Sequence, residues 1–268
     1  MKRDLMRLVT GMLAVWGLFS SCATQNGQPS PVTAGLRSGD SAINRNSIDE
    51  ILNNPKPERP GLATGWGHEK FSPTYARDFV RASSQPAGTD VIYYNNPEGI
   101  KAMTSDASRV GALQPAAGGL VQWGIRGGSG YLPTYKENGF GRRLVAGEKG
   151  GHYAVYVCNQ SKSTLELVAS VDGLDVQDGK TASFSKRGYL VDAGSSILID
   201  GFRTSYDAVA AFKFSGVNDS FANLRHGSTR NVGVIGIAVF TQKGVNPWTW
   251  MPEEVHTRDK AKPFATAP

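Results

Sequence analysis

The chain has 268 residues, 40% of them hydrophobic and 19% charged, with 32 glycines and a net charge of +6; its mean hydropathy is −0.30. This composition excludes a coiled coil and a multispan membrane protein, and the hydrophobic fraction is enough for a packed core, which excludes wholesale disorder. Lysines and arginines are spread along the chain without the dense block that binds nucleic acid, so no nucleic-acid partner is expected.

Met1 to Arg7 is basic, Leu8 to Phe19 is apolar, and Ser20-Ser21-Cys22 follows. The apolar run is too short to cross a bilayer comfortably and ends in small residues before a cysteine. The segment resembles a bacterial lipoprotein signal, whose box is leucine, two small residues and cysteine; here the leucine is displaced to Leu18. The resemblance implies cleavage before Cys22, diacylglycerol on the Cys22 sulfur and acylation of the new amine, with residues 1–21 as signal peptide. An ordinary secretory signal cleaved near Ser21 and an uncleaved N-terminal anchor are the alternatives, and all three export the chain. Each buried methylene contributes about 0.8 kcal/mol, so several acyl chains anchor a protein to the membrane durably. Ala23 and Thr24 follow Cys22, and neither is the aspartate associated with inner-membrane retention, so the outer membrane is the expected location. Loss of Lys2, Arg3 and Arg7 together with Asp4 lowers the net charge from +6 to +4.

Residues 22–57 read as a flexible tether rich in Ser, Asn, Gln, Gly and Pro. Within it Ser47-Ile-Asp-Glu-Ile-Leu-Asn53 begins with a capping-type serine and is long enough for two helical turns at most. Thr89–Asn95 predicts a strand, and Pro97–Met103 a short helix with proline at its start. Residues 111–151 hold 12 glycines, which suits turns, bulges and loops better than a long helix. The run from His152 to Cys158 is apolar; if Cys22 carries lipid, Cys158 has no partner within the chain and is expected to be buried as a small hydrophobe.

Thr164–Val171 alternates Leu165, Leu167, Ala169 and Val171 on one face with Glu166, Val168 and Ser170 on the other, as a strand does. Further strands are expected at Ser196–Asp200, Ala208–Phe214 and Val232–Phe240, the last apolar on both faces as in a strand covered on two sides. Turn signals recur between them at Asp172-Gly173, Asp178-Gly179, Ala193-Gly194 and Asp200-Gly201. Short strands at this spacing predict an all-β fold: a single β-sandwich or jelly-roll-like domain over 58–240, with one or two short helices at most and an irregular tail over 241–268.

Several strings in this region, Val171-Asp-Gly-Leu-Asp-Val176, Arg187-Gly-Tyr189, Gly201-Phe-Arg-Thr-Ser205, Val209-Ala-Ala-Phe-Lys-Phe214 and Arg230-Asn-Val-Gly-Val-Ile-Gly236, resemble an uncharacterised family of exported bacterial β-sandwich proteins. Arg59-Pro-Gly-Leu62, Gly65-Trp-Gly67 and Tyr93-Tyr-Asn95 are similar as well. The resemblance implies one continuous domain and carries no activity with it.

No catalytic motif stands out. His68-Glu69 lacks the second histidine of a helical zinc site, and there is no nucleophile elbow, Walker A loop or dinucleotide fingerprint. His68, His152, His226 and His256 are far apart in sequence and are expected to be structural or surface residues. Asp172, Asp175 and Asp178 offer a weak calcium site, but aspartates beside glycines are first of all turn residues, and no metal or other cofactor is expected. Arg203, with Thr204 and Ser205, joins two predicted strands; an arginine fork there could read a carboxylate or phosphate, whereas the plainer reading has it pin the connection through an aspartate or loop carbonyls. Trp66, Trp248 and Trp250 are candidate platforms for a sugar ring or a partner pocket, set against packing on the core. The expectation is a non-catalytic cell-envelope lipoprotein, held to the membrane by its lipid, that presents a β-sandwich to a protein partner or to copies of itself. A glycan- or peptidoglycan-binding module and an envelope-polymer hydrolase are the alternatives.

Overall fold

The computed structural model describes residues 59–248 and 252–262. Among the described residues, sixteen strands and three short helices make an all-β sandwich. The first strand, β1 (Leu62–Phe71), pairs antiparallel with β15 (Ala208–Gly216), which pairs on its other side with β14 (Gly201–Arg203). The largest sheet is built on β10 (Leu165–Val171), β16 (Val234–Thr241), β2 (Gly88–Asn95), β8 (Arg143–Ala146), β7 (Thr134–Glu137) and β3 (Ala107–Val110), side by side in that order. Its β2–β8 pair is parallel, and its other pairs are antiparallel. The third sheet centres on β9 (Tyr153–Asn159) and β5 (Val121–Gly127), flanked by β13 (Ser196–Ile199) and β4 (Gln114–Ala116). A single bridge, His152 to Lys213, joins this sheet to the three-stranded one, and together they face the large sheet.

The alternation read in the sequence becomes the two faces of β10. Leu165, Leu167, Ala169 and Val171 enter the main core, and Glu166 and Val168 are buried on the other face. β16 behaves likewise: Ile235, Ile237 and Val239 face the main core, while Ala238 and Phe240 form a second cluster with Val168. α1 (Pro97–Met103) has proline at its start and an Asn96 side chain that accepts a hydrogen bond from Gly99 N, so its first turn is capped as its sequence requires. The glycine-rich region holds five strands, β4 to β8 with β6 at Gly130–Tyr131, rather than loops alone, because its glycines sit at the turns between them and beneath close backbone approaches. Not foreseen were β1, whose side chains keep no regular alternation, the short helix α2 (Phe221–His226), and α3 (Pro252–Asp259) in the tail, where an irregular chain was expected; with α1 these are three short helices where one or two at most were expected.

The centre of the sandwich is aromatic. Tyr153 stacks on Phe214 and Phe212, and Phe212 meets Phe202 edge-on; Phe202 continues to Phe221 of α2 (Phe221–His226), which packs against Trp66. Beside this row lies a buried polar network around Asp172 in the β10–β11 turn, where β11 is Leu174–Asp175. Asp172 has φ of 54° and Gly173 has φ of 80°, the left-handed pair that a tight hairpin turn needs. The carboxylate accepts hydrogen bonds from Thr64 N (2.7 Å), Tyr94 OH (2.6 Å) and Gly233 N (2.9 Å). Thr64 Oγ1 in turn lies 2.8 Å from Tyr94 OH and 2.5 Å from Tyr153 OH. One side chain thereby fixes β1, β2 and the entry to β16, and through Thr64 reaches β9.

Asp172→Ala takes the shared acceptor from the amides of Thr64 and Gly233 and from the phenol of Tyr94, each unmet buried donor costing about 1–3 kcal/mol. We expect an overall loss of roughly 3–4 kcal/mol in urea unfolding. Tyr94→Phe, which removes a single donor, should cost about 1 kcal/mol.

Candidate binding cleft

Most of the side chains singled out by sequence are consumed by the fold. Arg203 is 4% exposed. It donates through Nη1 to Ser72 O (2.7 Å), Ser205 O (3.2 Å) and Tyr206 O (3.4 Å), through Nη2 to Ser72 Oγ (3.3 Å), and through Nε to Tyr189 OH (3.2 Å). Its fork therefore reads the chain's own loop carbonyls, which ties Ser72 to the β14–β15 turn. Ser205 Oγ accepts from Asp207 N, and Thr204 Oγ1 is buried with no partner. Trp66 and Trp248 are partly buried against the main core. Trp248 lies over Gly118, where a Cβ would come within 2.8 Å of the ring and φ is 64°, so glycine is needed there on both counts. Trp250 and Cys22 lie outside the described residues.

The three aspartates do not converge. Asp172 belongs to the central network, whereas Asp175 and Asp178 turn into the following loop. Asp175 Oδ1 accepts from Gln177 N and Asp178 N, and Asp178 is ion-paired with Lys186. Among the described residues no group of three or more His, Cys, Asp or Glu side chains could hold a metal ion. His68 and His152, distant in sequence, do meet edge-to-face at 4.9 Å. His226 Nε2 lies 2.9 Å from Gly179 O, and His256 is exposed on the tail helix. Cys158 is buried as expected at 1% exposure, but it is not a free thiol, which corrects the expectation of an unpartnered sulfur.

Open surface with chemical character lies elsewhere, on two adjoining depressions that share Asp90 and Val91. The first, of about 360 Å³, lies where β2, β7 and β8 meet β4 of the third sheet, and Lys136, Arg142 and Arg143 line it. Arg143 is 7% exposed, lies 4.8 Å from the Trp123 ring and is ion-paired with Asp90, whose Oδ2 also accepts from Trp123 Nε1 at 2.7 Å. Burial pulls the Arg143 guanidinium below its ordinary pKa, and Asp90 opposes that shift. Arg142 is forked onto Glu137 at 2.6 and 2.8 Å, which holds that carboxyl below its usual range. Phe140, in the β7–β8 turn between glycines, stands 85% exposed at the rim.

The second depression, of about 320 Å³, is apolar. Its floor is the outer face of the large sheet: Val168 and Ser170 of β10 beside Ala238 and Gly236 of β16, then Thr89 and Val91 of β2, in register across three strands. Its wall is the loop carrying Phe184, which is 46% exposed. That loop is held in place by Arg81, which donates to Phe184 O and Lys186 O, lies 3.6 Å over the Phe240 ring, and pairs with the fully buried Glu166 at 2.7 Å. Glu166 also accepts from Gly188 N at 2.8 Å.

Comparison with protein-family models, with curated proteins and with solved structures finds no match to this chain. The fold and the cleft therefore stand on their own geometry.

Two buried carboxyls give the molecule a pH signature. Burial raises Asp172 to about 6 against its hydrogen bonds, and burial with the nearby Asp178 charge raises Asp175 to about 7. Both lie above the ordinary value of 3.8, so the folded chain holds protons that the unfolded chain releases, and stability falls as pH rises from about 4 to about 7. Urea midpoints measured across that window should decline with pH. Asp175→Asn should flatten the part of the slope nearest neutrality; an unchanged slope in that variant would exclude Asp175 as its source.

Proposed function

We propose that this protein is a non-catalytic cell-envelope lipoprotein, anchored by lipid on Cys22 at the outer membrane, whose β-sandwich binds a protein partner along the cleft between Phe140 and Phe184. The observation that carries the reading is that the two depressions share Asp90 and Val91 in their linings, which sets an apolar trough beside a cationic one. The fitting partner segment is an extended one that bears apolar side chains beside acidic ones, by complementarity of charge and apolarity. Glycan binding has less support, because Trp66 and Trp248, two of the three candidate platforms, are packed against the core, which leaves the net positive charge and Trp250. The hydrolase alternative gains nothing from Asp172, Asp175, Asp178 and Glu166, which are buried and hydrogen-bonded or ion-paired within the fold.

A photo-crosslinking residue at Val91 or Phe184 in whole cells should capture a discrete protein species, and one at Val245, which lines neither depression, should not. Ala238→Arg, which fills the apolar floor, should abolish the capture. Equal capture from all three positions would sink the reading.

The anchor carries its own test. The chain has two cysteines, Cys158 is not a free thiol in the structure, and a thioether on Cys22 would exclude a disulfide between the two, so lipidation and that bond are alternative states of Cys22. Protein extracted from membranes should carry the mass of the lipid. Protein without that mass, in which Cys158 alkylates only after reduction, would overturn lipidation.

A further inference from the structure

The cationic depression has a charge balance that its own residues do not close. Lys136 and Arg143 stand directly opposite one another in the β7–β8 register, and like charges in that position repel. Arg143 has Asp90 as its counter-charge, and its Nη1 is buried with no hydrogen-bond partner. Arg142 is neutralised by Glu137. Lys136 is exposed and makes no ion pair among the described residues. Three cations thus meet two carboxylates, leaving one positive charge at the mouth of a concavity whose rim is an exposed phenylalanine.

Resting on the reading of the cleft as a partner-binding surface, we infer that this depression is an anchoring pocket for a single carboxylate on an acidic segment of the partner protein. Lys136 supplies the neutralising charge, Arg143 the fixed positive wall, and Phe140 the cover for the apolar residue next to the acidic one. One carboxylate relieves the Lys136–Arg143 repulsion and restores neutrality, which a neutral or cationic group cannot do. Arg143 is suited to its part because Trp123 and Asp90 hold it in one orientation before anything binds. Lys136 is suited to the other because a single mobile ammonium can follow the incoming oxygen.

The test is fluorescence anisotropy on the full soluble chain with a labelled Val-Glu-Val-Glu-Val peptide, its Glu-to-Gln counterpart, and inorganic phosphate as competitor. The acidic peptide should bind saturably and weaken steeply with added salt, and the Gln peptide should bind at least tenfold less well. Lys136→Ala should weaken the acidic peptide at least tenfold and Phe140→Ala several-fold, while Lys136→Arg retains binding. Lys136→Ala should leave the melting temperature of the free protein unchanged or raised, since it removes a repulsion. A lowered melting temperature would mark Lys136 as structural and overturn the assignment. So would equal binding of the two peptides, or binding indifferent to Lys136→Ala. Saturable phosphate binding without peptide binding would overturn the acidic-segment assignment in favour of a free anion. If whole-cell capture from Val91 persists undiminished in Lys136→Ala, the carboxylate pocket fails while the partner-binding reading survives.

Discussion

The sandwich depends on a carboxylate buried where its strands converge. Asp172 sits in a turn that forces a left-handed backbone, and its two oxygens take the amides of Thr64 and Gly233 and the phenol of Tyr94. Packing alone would let the three sheets slide, because an aromatic core is tolerant of small shifts. Directed hydrogen bonds are not tolerant, since a misplaced strand leaves buried donors without an acceptor. The network therefore sets the position of β1 relative to the large sheet, and with it the β15–β14 ribbon that β1 carries. Holding the acid there raises its pKa, so the same interaction that specifies the register makes the fold sensitive to pH.

A second buried carboxylate divides the outer face of the large sheet. Glu166 lies on the strand face that points away from the main core, where an unpaired charge would need solvent. Arg81 and Gly188 instead reach it from two separate segments and draw them over Phe240. The cover stops at Phe184, and beyond it Val168, Ala238 and Val91 remain as the floor of a trough. The apolarity of β16 on both faces is thus used twice, under the cover on one stretch and in the open cleft on the next.

Strands were legible in the sequence where an apolar run or an alternation lies between turn signals: β10, β13, β15 and β16 all fall where those patterns place them. β1 was not, because its central Gly65-Trp-Gly67 serves close backbone approach rather than alternation, and its register shifts between Trp66 and Glu69. The site was harder still. Arg203 draws attention as a charge between strands, yet five donor contacts within the chain absorb it. Lys136, Arg142 and Arg143 carry no motif, since their meaning comes from a pairing register and from a tryptophan and an aspartate 20 or more residues away. The one local signal was a glycine-flanked Phe140 followed by two arginines, a combination that marks an exposed aromatic beside charge but not a partner for it.

That contrast separates the charges this fold needs from those it only tolerates. Buried charges in the core are answered from within: Glu166 by Arg81, Asp178 by Lys186, Arg203 by carbonyls, and Asp172 by amides and a phenol. Lys136 is answered by nothing in the described chain and faces another cation across a strand pair, a placement that costs stability for no structural return. Local rules are broken in folded proteins chiefly where another requirement overrides them. Among the three cations that line the cationic depression, Lys136 alone has no carboxylate in the described chain, and that imbalance is the ground on which the acidic-segment proposal rests.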